Sequence, residues 1–261
     1  MINHPLAKAI FWSSAALICL FLVLPSLVVI PMSFNGSETL RFPPSNLSLI
    51  WYRAYFGRPA WTDATLHSFE IAVSVTVLAT TIGTLAALGL VRGRVPFRRL
   101  VTILLLAPIV VPTIVSAVGM YGMLAPIGLV GTIPGVVVAH TVLALPFVII
   151  NVSAVLQRMD RQIEQAARSL GASSLRTFWL VTLPMISTGI AAGAVFAFIT
   201  SFDEVVVALF ISGVDAATLP VQMWSGLLFE INPIVASVST MLIALSLVAM
   251  LMFASLRRRS S

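Results

Sequence analysis

Two neighbouring carboxylates, Asp203 and Glu204, stand inside the apolar run ITSFDEVVVALF. A carboxylate at helix depth in a bilayer costs about 2.5 to 3.5 kcal/mol on insertion scales, so lipid-facing packing does not accommodate two in succession. The chemistry the pair offers is stepwise compensation of a cation, weak enough at each step for release. Consecutive helical residues point about 100° apart. Three readings follow: one acid lines a polar path while the other pairs laterally, the helix breaks here, or the span ends earlier and both acids lie at its rim. Ser201 and Phe202 adjoin the pair, and the rings of Phe202, Tyr121 and Trp224 would either attract a cation or pack.

The second chemically distinct stretch is residues 160–184, DRQIEQAARSLGASSLRTFWLVTLP, a polar and strongly patterned island in an otherwise apolar chain. Asp160 suits the cap of a first helix on which Ile163, Ala166, Ala167 and Leu170 recur at helical spacing. Gly171 suits the left-handed turn that ends it, and Ser173 or Ser174 can cap a second helix carrying Leu175, Phe178 and Trp179. About ten residues of helix are roughly 15 Å long, half a hydrocarbon core, so the first helix does not span. Its arginines place it at a membrane surface, and its alanines let another backbone come close. From pattern alone an amphipathic loop lying on lipid is an equal reading.

Catalytic constellations are missing from the sequence. It has no HExxH, GxSxG or histidine cluster, and no GxxxxGK[ST] to cradle a nucleotide's phosphates. At 261 residues, 59% hydrophobic and 9% charged, with mean hydropathy +1.06, the composition is that of an integral membrane chain. The net charge of +6 and pI near 10.7 do not point to nucleic acid, because the charge is sorted by membrane side. With six spans, twelve of the 15 basic residues fall on one side and only Arg41, Arg53 and Arg58 on the other. The positive-inside rule then puts both termini in the cytoplasm. The lone Cys19, in the first apolar run, reads as a small core thiol.

The elements that must position these residues are expected at 9–30, 65–91, 100–124, 135–156, 185–211 and 234–253, within one transmembrane domain covering 1–261. The first run is too long for a typical signal sequence and is kept as a span. SLIWYRAYF reads as a short interfacial helix of aromatic anchors. Pro108 and Pro112 should kink the third span. His140, in the fourth, reads as a helix-to-helix hydrogen-bonding partner rather than a ligand. PVQMWSGLLFEINP reads as a short helix or re-entrant piece, and Arg257, Arg258 and Arg259 stop the last span on the inside.

The spacing QAA, three residues, Gly171, then Leu183 and Pro184 resembles the EAA loop of the membrane subunits of bacterial ABC importers. The likeness extends from about 68 to 240 and includes LLLAPIVVP, AHTVLALPFVI and the island. Within it SFDEVVVALFISG, TLPVQMWSGL and INPIVASVST resemble the second permease of the spermidine/putrescine type. The resemblance implies an all-α integral membrane protein with six transmembrane helices in the type I importer permease fold, and a coupling helix between spans four and five. The family's glutamate falls on Gln165 and the acid stands one place earlier, at Glu164, so which of the two faces an ATPase stays open.

What the resemblance implies for function is an inner-membrane permease subunit that forms half of a translocation path and is not itself an enzyme. An ABC ATPase dimer would use ATP and Mg, with no cofactor or metal bound by this chain. A second, different permease and a periplasmic or lipid-anchored solute-binding protein would complete the complex among membrane lipids, with no nucleic acid. Glu164, Gln165, Ala166, Ala167, Leu170, Gly171 and Pro184 would couple to the ATPase. The solute would be a polyamine, for which Asp203 and Glu204 make chemical sense; an opine, an aminophosphonate or an amino-acid derivative is the alternative. A secondary transporter is disfavoured, since no internal repeat is evident.

Overall fold

The computed structural model describes residues 5–39, 42–44, 46–229 and 233–259, with backbone only at 5–7, 9–10 and 249–259. Arg41 and the side chains of Arg257, Arg258 and Arg259, all used in the charge count, lie outside the described residues, as do positions 231 and 232. In chain order the helices are α1 (Pro5–Ser33), α2 (Ile50–Gly57), α3 (Pro59–Arg92), α4 (Arg98–Val110), α5 (Thr113–Leu124) and α6 (Ile133–Arg158). They continue with α7 (Arg161–Ser169), α8 (Ser174–Thr177), a π-turn at Phe178–Thr182, α9 (Leu183–Asp203), α10 (Val206–Ile211), α11 (Leu219–Leu228) and α12 (Ile234–Arg259). The described residues contain no strand, only an isolated bridge between Asn35 and Leu47.

Among the described residues, four stretches are long and apolar enough to cross a membrane: Phe11–Ser33, Pro59–Arg92, Ile133–Arg158 and Ser174–Asp203. A fifth exists if Arg98–Val110 and Thr113–Ile127 are one span bent by 110°. The sixth expected span coincides with α12, whose apolar part Ile234–Val248 falls among the fully described residues. Such helices suit a bilayer because all their backbone groups are satisfied internally.

Two compact units divide the chain: Met1–Thr62 with Met223–Ser261, and Asp63–Gln222. In the first, α1 and α12 are neighbours and α2 packs on α12. Trp51 and Tyr55 are buried, and Tyr52 pairs its hydroxyl with Ser33 Oγ at 2.7 Å. That corrects the reading of α2 as a row of interfacial anchors: two of its rings serve the unit's own core, and among the large aromatics Phe56, at 70% exposure, stands out. Cys19 is exposed, not a core thiol, because α1 presents apolar side chains all round and its spanning window buries none of them within the chain.

The second unit is built on the pair α6 and α9. Gly189 and Gly193 of α9 lie so close to α6 that a Cβ on Gly193 would come 3.0 Å from Val148 Cα, and one on Gly189 would come 3.0 Å from Asn151 O. With Ala197 and Ser201 they form a buried small-residue row at every fourth position, the spacing by which helices approach without a hydrophobic driving force. On the facing side Ala144, Val148, Val152 and Leu156 are buried. The row ends in a polar contact, His140 Nδ1 to Ser201 Oγ at 3.1 Å, both residues buried. His140 is the interhelical partner that its isolation in an apolar run suggests.

The third span is not kinked but broken. Pro112 drives Val111 into extended backbone, φ −73° and ψ 130°, so α4 stops and α5 restarts at 110° to it. The fifth apolar run breaks as well. α9 ends at Asp203, Glu204 is extended, and α10 begins two residues later.

Candidate functional site

The island folds as its caps dictate. Asp160 accepts from the Gln162 amide at 2.9 Å and Ser173 from the Arg176 amide at 3.3 Å, so both helices start on side-chain oxygens. Gly171 adopts φ +90°, its amide bonds Arg168 O at 3.0 Å and the Ala172 amide bonds Ala167 O at 3.1 Å. These two bonds are the Schellman arrangement, which satisfies the last carbonyls of α7 and requires a residue at ease in the left-handed region.

α7 carries no buried residue. Ile163, Gln165, Ala166 and Leu170 are exposed, Leu170 at 90%. The face that turns toward the rest of the unit carries Glu164 and the half-buried Ala167. Within this chain Glu164 turns toward Arg92 and Thr182, while Gln165 is exposed. Pro184 lies exposed at the start of α9, after the π-turn.

Glu164 is held by two groups from distant parts of the chain. Arg92 Nε, at the end of α3, lies 3.1 Å from its Oε2, an ion pair off the N–H direction. Thr182 Oγ1 donates to its Oε1 at 2.9 Å. Arg92 Nη2 also donates to Met159 O at 3.1 Å, capping α6, and Arg161 Nη2 donates to Val91 O at 2.6 Å, capping α3. Arginines thus complete helix ends whose carbonyls have no partner along the chain, where positive charge is also favoured by the helix dipole. That Arg92 shares a cluster with Glu164 depends on tertiary proximity that no local pattern encodes.

The path candidates differ in what already engages them. Glu204 Oε1 accepts from the Val207 amide at 2.9 Å, so this half-buried acid caps α10, while Asp203 is exposed at the end of α9. The helix is interrupted at the acidic pair, and the membrane-length stretch Ser174–Asp203 ends there. Ser201 is committed to His140, and Phe202 stacks on Phe198 with centroids 5.7 Å apart. Tyr121, on α5, is 46% exposed; Trp224, on α11, is 45% exposed. A cavity of about 320 Å³ is lined by Leu90, Val91, Arg98, Thr102, Leu106, Ile149, Ile150, Ser153, Ala154 and Gln157, and none of the six path candidates borders it.

Residues 79–261 match the family of the binding-protein-dependent transport system inner membrane component. The chain is 31% identical over 230 residues to the putrescine transport system permease protein PotI of Escherichia coli (strain K12), covering 85% of this chain and 82% of that one. To the spermidine/putrescine transport system permease protein PotC of Haemophilus influenzae it is 28% identical over 241 residues, 92% and 93% of the two chains. Its fold matches that of a bacterial ABC transporter involved in import of the acidic polysaccharide alginate, with TM-score 0.74 and 16% identity over 99% of both chains. An all-helical architecture, several membrane-length apolar helices and this match over most of its length place the chain in the binding-protein-dependent transport system inner membrane component family, the membrane-embedded permeases of ABC importers, which are transport components and not catalytic enzymes and work with ATPase and solute-binding partners.

Proposed function

We propose that this chain is one of two permease subunits of an ATP-driven polyamine importer in a bacterial inner membrane, with six spans forming a single transmembrane domain and both termini in the cytoplasm. Its partner permease is a related but different chain. An ATPase dimer binds ATP and Mg and docks on the coupling helix α7, while a periplasmic or lipid-anchored protein delivers the solute. The observation that carries the coupling role is the outward apolar face of α7: Ile163 at 42% and Leu170 at 90% exposure on a helix that buries nothing of its own. An apolar face on a surface helix exists to meet another surface. Gln165 and Ala166 share that exposure, Ala167 and Gly171 shape the helix and its end, and Pro184 follows the π-turn that leads into α9.

The polyamine reading is supported by the similarity to permeases named for putrescine and spermidine and by the Asp203–Glu204 pair. A polycation needs compensating negative charge in a low-dielectric path. Asp203, exposed and at a helix end where the dipole disfavours an acid, is the better placed of the two. Glu204 is partly engaged in capping, and Phe202, Tyr121 and Trp224 remain candidates along the route, whereas Ser201 is buried with its hydroxyl on His140. The test is uptake by the reconstituted complex, with the binding protein titrated calorimetrically against putrescine, spermidine and other amino compounds. Polyamine binding together with uptake reduced at least about tenfold in Asp203→Asn would support the reading. Normal uptake by both Asp203→Asn and Glu204→Gln would remove the pair from the path.

A further inference from the structure

α7 is nine residues long and contributes no buried side chain. A helix this short is marginal on its own, and with the half-buried Ala167 as the apolar side chain on its inner face, directional polar bonds dominate its orientation. Arg161 Nη2 ties the start of α7 to Val91 O at 2.6 Å, and the other inward bonds meet on Glu164, whose carboxylate is divided between Arg92 Nε at 3.1 Å and Thr182 Oγ1 at 2.9 Å. Arg92 ends α3 and in the same position holds the carbonyl of Met159, just beyond α6. Thr182 closes the π-turn, in which the Leu183 amide bonds Phe178 O five residues back.

The π-turn matters because it is a local widening of the helix, a feature concentrated at functional and movable points. Pro184 follows at once and has no amide to donate, so the helix cannot tighten its bonding there. Side-chain exposures of 17% for Arg92 and 14% for Glu164 shield the ion pair from most of the solvent screening that weakens surface pairs.

We infer that Glu164 is the positioning residue through which displacement of α7 reaches the membrane helices, pulling on α3 through Arg92 and on the hinge before α9 through Thr182. The inference rests on the reading of α7 as the coupling helix and adds the route by which its motion leaves. Glu164 takes no part in ATP chemistry and touches no solute. It divides one input between two outputs.

The test uses the intact complex in liposomes, recording solute imported per ATP hydrolysed. Glu164→Gln keeps an oxygen for Thr182 and removes only the charge. The ratio is expected to fall about tenfold, within the range of typical coupling energies, with detergent-extracted stability and assembly retained. Arg92→Gln is expected to lower the ratio similarly, and the double variant to be no worse than the poorer single one, because both remove the same link. Thr182→Val should lower it independently of Arg92→Gln. An unchanged ratio in Glu164→Gln, a parallel loss of hydrolysis and import with the ratio preserved, or strictly additive effects of Glu164→Gln and Arg92→Gln would each overturn the inference. Ala166→Trp separates the two levels. If it uncouples while Glu164→Gln does not, the route is wrong and the coupling role stands; if neither uncouples, the coupling role falls too.

Discussion

The seam between α6 and α9 and the elbow that carries α7 are joined by a short length of chain and held by opposite means. The seam is made of Gly189, Gly193, Ala197 and Ser201 against Val148 and Val152, with backbone close to backbone and a single buried polar contact. It depends on shape, and packed cores of that kind are bistable or rigid rather than gradually deformable. The elbow has no buried side chain in its helix and is oriented by three polar links, Arg161 to Val91, Arg92 to Glu164 and Thr182 to Glu164. A rigid pair of spans beside a lever on a few directional bonds is a sensible division of labour in a machine driven from outside: one part must keep its form while the other changes its angle.

Breaking the seam should therefore abolish the protein, whereas breaking the elbow should abolish only its use. The largest effect is expected from Gly193→Leu. The first added atom would already sit 3.0 Å from Val148 Cα, a backbone atom that gives way only if the helices part. Overpacking costs about 1 to 3 kcal/mol where side chains can adjust and more where they cannot. We expect little of this variant to be recovered folded from the membrane, as judged by detergent-extracted yield and size exclusion.

Gly171→Leu should separate the two regions more cleanly. Nothing lies within 4 Å of the position, so there is no clash, but φ +90° costs an L residue about 1 to 2 kcal/mol and favours unwinding the end of α7. Insertion and the seam should survive while ATP-driven import is lost and hydrolysis by the complex persists. Import at the normal rate would show that the geometry of this helix end does not matter to coupling.

The smallest effect, confined to the seam, is expected from Ser201→Ala. It removes the hydroxyl from His140 and leaves the small-residue row intact. Interhelical hydrogen bonds in membranes average about 0.6 kcal/mol and reach about 2, so thermal unfolding in detergent should shift slightly and coupling not at all. A larger loss of import than of stability would instead give this pair a part in the transport cycle.

How far these regions could be read in advance follows from the range of the interactions involved. Asp160, Gly171 and Ser173 act on neighbours in sequence, so the start, stop and restart of the elbow are legible from residue type alone. His140 was legible as an interhelical partner because a polar ring in an apolar run must bond across helices, though its partner Ser201 was not. The small-residue row from Gly189 to Ser201 could have been found by its four-residue spacing. The Arg92–Glu164–Thr182 cluster could not: three residues from three elements meet only once the topology is known. Two prolines announce a disturbance in the third span, but whether it is a bend or a break depends on what α5 packs against, and α10 is its neighbour. The aromatic residues of α2 misled for a similar reason, since an amphipathic ring serves a core as readily as an interface, and Trp51 and Tyr55 went to the core.

The coupling role of α7 requires that it be gripped from outside. A photo-crosslinking side chain placed at Leu170, the most exposed position of the elbow's apolar face at 90%, tests this in intact membranes. The prediction is a crosslink to an ATPase subunit whose yield changes between nucleotide-free and ATP-trapped states, with none from the inward-facing position of Glu164. Crosslinking from Leu170 to lipid alone, insensitive to nucleotide, would contradict it.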